Sequence, residues 1–171
     1  MKKLIAALFV FCSLMAFGFS ESYHARRGLF LDVDTIHGSF YDGFGLTFTS
    51  VGGLGLTFYG FDISAGQIFI QDNYKTDSTC ADPDFVSGNL LVGLSLKLGP
   101  IKPYITGGIG GCVISDQDNP DYCLVGLLAE GIGGVDLCLF DILSIGACYK
   151  IKFMYGAGFT ESYSITTGII F

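Results

Sequence analysis

Several things are missing from this sequence. It has no tryptophan, and its 171 residues hold nine Lys and Arg against 16 Asp and Glu. So few basic residues leave no patch with which to hold nucleic acid. Charged residues of either sign make up only 15 % of the chain, and beyond the first 20 residues no apolar run reaches the 18 or so that a spanning helix needs, which excludes a helical membrane protein. No Cys-x-x-Cys or Cys/His spacing suggests zinc, and no cofactor is expected. What the sequence does have is apolar and small: half of it is hydrophobic and 25 residues are glycine.

Residues 1–20 read as a secretory signal peptide. Lys2 and Lys3 precede the apolar run Leu4 to Phe17, and small residues follow at Ala16, Gly18 and Ser20. Cleavage is expected after Gly18 or Ser20, leaving 21–171 as a single domain. Without Lys2 and Lys3 the mature chain keeps seven basic and 16 acidic residues, a net charge of −9. Five cysteines survive, Cys80, Cys112, Cys123, Cys138 and Cys148. The secretory route permits disulfides, but an odd number leaves at least one thiol over.

After the signal the dominant pattern is alternation, the period of a β-strand. From Val86 to Leu98, Leu90, Val92, Leu94, Leu96 and Leu98 alternate with Asn89, Gly93, Ser95 and Lys97. Leu143 to Phe153 sets Leu143, Ile145, Ala147, Tyr149, Ile151 and Phe153 against Ser144, Gly146, Cys148, Lys150 and Lys152. Phe44 to Tyr59 reads as one strand with Phe44, Leu46, Phe48, Leu54, Leu56 and Phe58 on its large face. Weaker patterns over roughly 28–37, 62–72, 101–114, 122–139 and 162–171 bring the count to eight, with short turns expected near Gly60–Asp62, Gly99–Pro100 and Asp141–Ser144 alternating with longer polar connections near His37–Asp42, Asn73–Asp84, Ser115–Asp121 and Met154–Glu161. The side opposite the apolar one is Gly, Ser and Thr with few charges, too meagre for a water-facing surface. The apolar side therefore covers the outside of a barrel in hydrocarbon. The expected fold is an all-β, eight-stranded antiparallel transmembrane up-and-down β-barrel, too narrow for an aqueous channel.

The final strand, SYSITTGIIF, alternates Tyr163, Ile165, Thr167, Ile169 and Phe171 with small residues and ends on an aromatic. It resembles the closing strand of bacterial outer-membrane barrels, which implies that Tyr163, Ile165, Ile169 and Phe171 form the assembly signal. Loss of Phe171 is expected to harm folding more than loss of the tail Glu21–Arg27. With the Pro-aromatic-Gly-rich stretch Lys102–Gly110, the whole mature chain is similar to the small OmpA/OmpX-type barrel family. That resemblance implies a bacterial outer-membrane location, a monomer, and contact with outer-membrane lipid, lipopolysaccharide and the assembly machinery. The absent tryptophan departs from the family's usual aromatic girdle, leaving Tyr and Phe at the interfaces.

Face assignment places Lys97, Glu130, Asp136, Lys150 and Lys152 inside as a lumenal charge network, since isolated ions there would be costly. Cys138 and Cys148 share the inward face. A turn at Ile142–Ser144 would set them opposite each other, a possible disulfide, and Asp136 opposite Lys150; a turn at Asp141–Leu143 would set Cys148 opposite Asp136. Cys112 and Cys123 fall on opposite faces. The acidic stretch Asp116–Asp121 lacks the Glu of a calcium loop at its twelfth position, Leu127, and reads as a solvated loop. The expected role is structural or surface-interactive, with outer loops contacting host or envelope molecules, no open pore and no catalysis. Two alternatives stand beside it: a narrow pore, and a lipid A-modifying enzyme, because His37-Gly38-Ser39 has the His-x-Ser spacing of the lipid A deacylases.

Overall fold

The structure, a computed structural model, describes residues 26–39, 41–70, 83–115, 123–140, 142–155 and 158–171. The proposed signal peptide, His24, Cys80, the acidic stretch Asp116–Asp121, and Asp72, Asp77 and Asp82 lie outside the described residues. Eight strands follow one another: β1 Gly28–Gly38, β2 Tyr41–Leu54, β3 Thr57–Ile70, β4 Asp84–Ser95, β5 Ile101–Ser115, β6 Cys123–Leu139, β7 Leu143–Met154 and β8 Gly158–Ile169. Each pairs antiparallel with the next, and β8 returns to β1 to close the barrel. Closure leaves no free sheet edge, so the wall's backbone groups are paired strand to strand.

The expected faces hold on β4 and β7. On β4, Leu90, Val92 and Leu94 are 70 %, 66 % and 53 % exposed, while Asn89, Leu91 and Ser95 point into the bore. The same alternation runs through β6, where Val125 and Leu127 face out and Leu128, Glu130 and Ile132 face in. A surface this apolar would associate in water; in a bilayer it is the matched surface.

Several connections depart from expectation. The strand expected over Phe44–Tyr59 is broken by a two-residue turn at Gly55–Leu56, where Gly55 takes φ +65° and Leu54 pairs with Thr57. Such a turn pairs even positions with odd ones and exchanges the inward and outward sets. Phe58, expected outside, is therefore buried in the bore, and Tyr59 faces out. Gly60–Asp62, expected to be a turn, lies within β3 and sends Asp62 inward. The β1–β2 connection, expected to be long, is only residues 39–40. At the other end, Leu98 and Ile101 bridge across Gly99–Pro100 as expected, with Gly99 at φ +65°.

The β6–β7 turn also departs. It spans residues 140–142, with Phe140 at φ 55°, and sets Leu139 opposite Leu143. Cys138 thereby faces Ser144 and Cys148 faces Gly134. The two cysteines stand four positions apart along the ladder, on the order of 13 Å at strand rise, beyond disulfide reach. Both are buried and neither is in a disulfide, which removes the expected bridge, and Asp136 lies opposite Gly146 rather than Lys150. Cys112 is buried and Cys123 exposed, on opposite faces as expected; both are free.

Candidate functional site: the filled bore and its outer rim

From the end where β1 begins and β8 ends, the first layer of the bore is an arginine that precedes the first strand. Arg26 is 4 % exposed. Its backbone N–H donates to Ser95 Oγ at 2.7 Å, and its Nε donates to Asp136 Oδ2 at 2.7 Å. The guanidinium lies 3.8 Å from the Phe30 ring centre and 4.1 Å from that of Tyr104, so a cation, its counter-ion and two π-faces close this mouth together. Glycines make room for the rings. A Cβ on Gly134 would stand 2.5 Å from the Tyr104 ring, and one on Gly168 would stand 2.4 Å from Phe30.

Above Arg26 packs an apolar layer of Phe30, Val51, Phe58, Tyr104, Ile132 and Cys148. The middle of the bore is polar. Alternation in Leu31-Asp32-Val33-Asp34 sends both carboxylates inward, where Lys150 Nζ sits 2.8 Å from Asp32 Oδ2 and 2.8 Å from Asp34 Oδ1. Thr47 donates to Asp34 Oδ2 at 2.5 Å, and Ser164 donates to its other oxygen. On the opposite wall Asn89 Nδ2 donates to Asp62 Oδ1 and to Glu130 Oε2, each at 2.9 Å, while Lys152 Nζ lies 3.4 Å from Glu130 Oε1. Toward the loops a second apolar layer of Ile36, Ile68, Phe85, Cys112, Ile114, Leu128 and Met154 caps the charges.

Four of the five expected lumenal charges, Glu130, Asp136, Lys150 and Lys152, are buried in the bore. Lys97 lies past the end of β4, half-buried at the turn, because the strand stops at Ser95. Their partners differ from the expected ones: Lys150 is held by β1 and Asp136 by Arg26. Sequence reading missed Arg26, Asp32, Asp34, Asp62 and the buried Lys102. Asp32 and Asp34 were visible as charges alternating with Leu31 and Val33. Arg26 belongs to no periodic pattern and gave no signal. The closing strand places Tyr163, Ile165 and Ile169 on the outer face, and Phe171, 44 % exposed, follows the end of β8.

His37 and Ser39 lie at the loop end of β1, both exposed. His37 Nδ1 is 2.9 Å from Asp42 Oδ1 on β2, and its ring meets Tyr163 edge-on at 6.1 Å. Other aromatics gather on the outer face toward this end, with Phe44 stacked on Phe69 and Phe153 tilted against Phe159. Among the described residues no group of three or more His, Cys, Asp or Glu could hold a metal ion.

No family model matches the sequence and no curated protein sequence does; the likeness is carried by shape. Neisserial surface protein A superposes with a TM-score of 0.63 over 88 % of this chain and 100 % of its own, at 14 % identity. This is the fold of the small eight-stranded outer-membrane barrels. The N-terminal barrel domain of Pseudomonas aeruginosa OprF matches with a TM-score of 0.54 over 85 % of this chain and 98 % of that domain, at 11 % identity. That fold, with an apolar exterior, places the barrel in a bacterial outer membrane. By the pattern of such barrels the mouth with Arg26 and the short turns faces the periplasm, and the loop end with His37 faces outward.

Proposed function

We propose that this small barrel acts through its outer surface rather than through its bore, as a monomeric structural or adhesion-like protein whose loops contact host molecules, lipopolysaccharide or other envelope components. The observation that carries the reading is the filled bore: two apolar layers enclose a belt of paired charges, and Arg26 closes the periplasmic mouth. A solute path would need to break several buried ion pairs at once, which argues against the narrow pore. Comparison of a deletion strain with its parent tests the proposal. Loss of surface binding with unchanged permeability to small solutes supports it, and single-channel steps from the purified protein would overturn it.

One observation favours a second reading, a lipid A-modifying enzyme. The carboxylate of Asp42 orients the His37 ring at the rim, as a base is oriented for a neighbouring nucleophile, and Ser39 follows two residues later. Expression of the protein and of Ser39→Ala, followed by mass spectrometry of lipid A, separates the readings. A mass change that depends on Ser39 would establish the enzyme; identical spectra would leave the surface role.

A further inference from the structure

The buried charges of the bore do not balance. Among the described residues five carboxylates are buried, Asp32, Asp34, Asp62, Glu130 and Asp136, against four cations, Arg26, Lys102, Lys150 and Lys152. A surplus ion in so closed a bore is costlier than its neutral form. The geometry locates the surplus. At the periplasmic mouth Asp136 has Arg26 as its ion-pair partner and Lys102 opposite it on the β5–β6 ladder, and the attraction of Arg26 extends to Asp32. Asp32 and Asp34 each hold Lys150 at 2.8 Å, and Asp34 also accepts hydrogen bonds from Thr47 and Ser164. Asp62 and Glu130, on the opposite wall, have one cation between them. That cation is Lys152, whose ammonium stands 3.4 Å from Glu130 and 3.4 Å from Ser64.

These two carboxylates are also set against each other. Both accept from the same amide nitrogen, Asn89 Nδ2, at 2.9 Å each, and Asp62 lies within hydrogen-bonding reach of Glu130 itself. Two ionised carboxylates have no hydrogen atom to place between them, and at that range they repel. A proton on either one turns it into a donor to the other. Asp62 is 1 % exposed and Glu130 6 %, and Asp62 Oδ2 and Glu130 Oε1 lack a hydrogen-bond partner among the described residues. Little solvent is at hand to screen a second negative charge there.

We propose that Asp62 and Glu130 bind one proton between them, so that the bore is electrically neutral and Lys152 answers the single charge that remains. In the unfolded chain both carboxyls are ionised above about pH 5. The folded barrel keeps one of them protonated, so folding takes up a proton; the stability this brings is full in mild acid and declines once the pH is high enough to draw the proton off. The pair is then a pH-sensitive latch inside the barrel wall, joining β3 to β6 through Asn89 of β4 while the proton is held and forcing two like charges onto one lysine when it is lost. This holds whatever the loops bind.

Infrared absorption of the processed chain, folded in an ester-free detergent, tests the proposal. At neutral pH the wild type should show a carboxylic-acid C=O stretch, distinct from the carboxylate bands and shifted in heavy water. Asp62→Asn and Glu130→Gln should each remove it, and Asp42→Asn, at the exposed rim, should leave it. The wild-type spectrum decides the first point without any variant, and Asp62→Asn, which keeps the side chain's size and needs no counter-ion, is expected to fold. Urea unfolding of the wild type and Asp62→Asn at stepped pH supplies the second readout. As the proton leaves, the folding equilibrium constant of the wild type should fall relative to the variant by about tenfold per pH unit, the dependence of one proton. A wild type with no carboxylic-acid stretch, a stretch that survives both substitutions, or parallel pH dependences for the two proteins would overturn the proposal.

Discussion

Replacing Arg26 with methionine should destabilise the barrel far more than a change upstream of the first strand ordinarily would. The side chain is almost wholly buried, its Nε is 2.7 Å from Asp136 Oδ2, and its guanidinium touches two aromatic faces. Methionine keeps much of the stem's packing but strands the Asp136 carboxylate, itself 1 % exposed, without its ion-pair partner. Breaking a buried pair from one side typically costs about 3–5 kcal/mol. Asp136→Asn in the same background removes the stranded charge, and the double variant should recover about half of the loss or more. The assay is urea unfolding in lipid vesicles, followed by the mobility difference between folded and boiled samples on cold detergent gels. A loss of under about 1 kcal/mol for Arg26→Met, or a double variant no better than the single, would refute the role given to Arg26.

Four further outcomes follow from the same geometry. Leu94→Arg, facing hydrocarbon on β4, should cost about 2–4 kcal/mol, and Ser95→Arg, facing the bore, less, with urea unfolding again the check. Lys150→Met leaves Asp32 and Asp34 without their shared cation and should lower the folded yield more than Lys97→Met at the half-buried turn, as read from heat-modifiable gel bands. Contrary to the order expected from the sequence, deleting residues 21–26 should reduce the folded population at least as much as deleting Phe171, because Arg26 fills the periplasmic mouth whereas Phe171 follows the end of β8, 44 % exposed. Thiol labelling of the unfolded chain should count Cys138 and Cys148 as free with or without reductant; a mass loss of two hydrogens localised to that pair would contradict the register.

Where one strand stands clear of its neighbours, its amino acids declare its faces. On β4 and β7 most outward residues are large and apolar and most inward ones are small or polar, and the faces lie as read, although β4 ends at Ser95 rather than Leu98. The β2–β3 boundary was hidden because Leu54, Leu56 and Phe58 continue the even-numbered series, although Leu56 sits in the turn and Phe58 belongs to the apolar layer of the bore. A lumenal aromatic and a lipid-facing one look alike in sequence. Composition placed Glu130, Asp136, Lys150 and Lys152 inside, but their pairing depends on register, and two-residue differences in the β6–β7 turn change every partner. Arg26 could not be found by periodicity, since it acts from outside the strands on residues about 70 and 110 positions away.

In this barrel the apolar face meets lipid, and the charges and remaining aromatics fill the bore. The absence of tryptophan makes a direct measurement possible, because any introduced indole is the sole one in the chain. Leu90→Trp places it on the outer face at mid-strand, and Phe58→Trp places it in the bore, at residues 70 % and 0 % exposed respectively. In vesicles of lipid brominated along the acyl chain, the Leu90→Trp emission should be strongly quenched and the Phe58→Trp emission much less so. Stronger quenching of the indole at position 58 would mean the faces are reversed and would contradict the account.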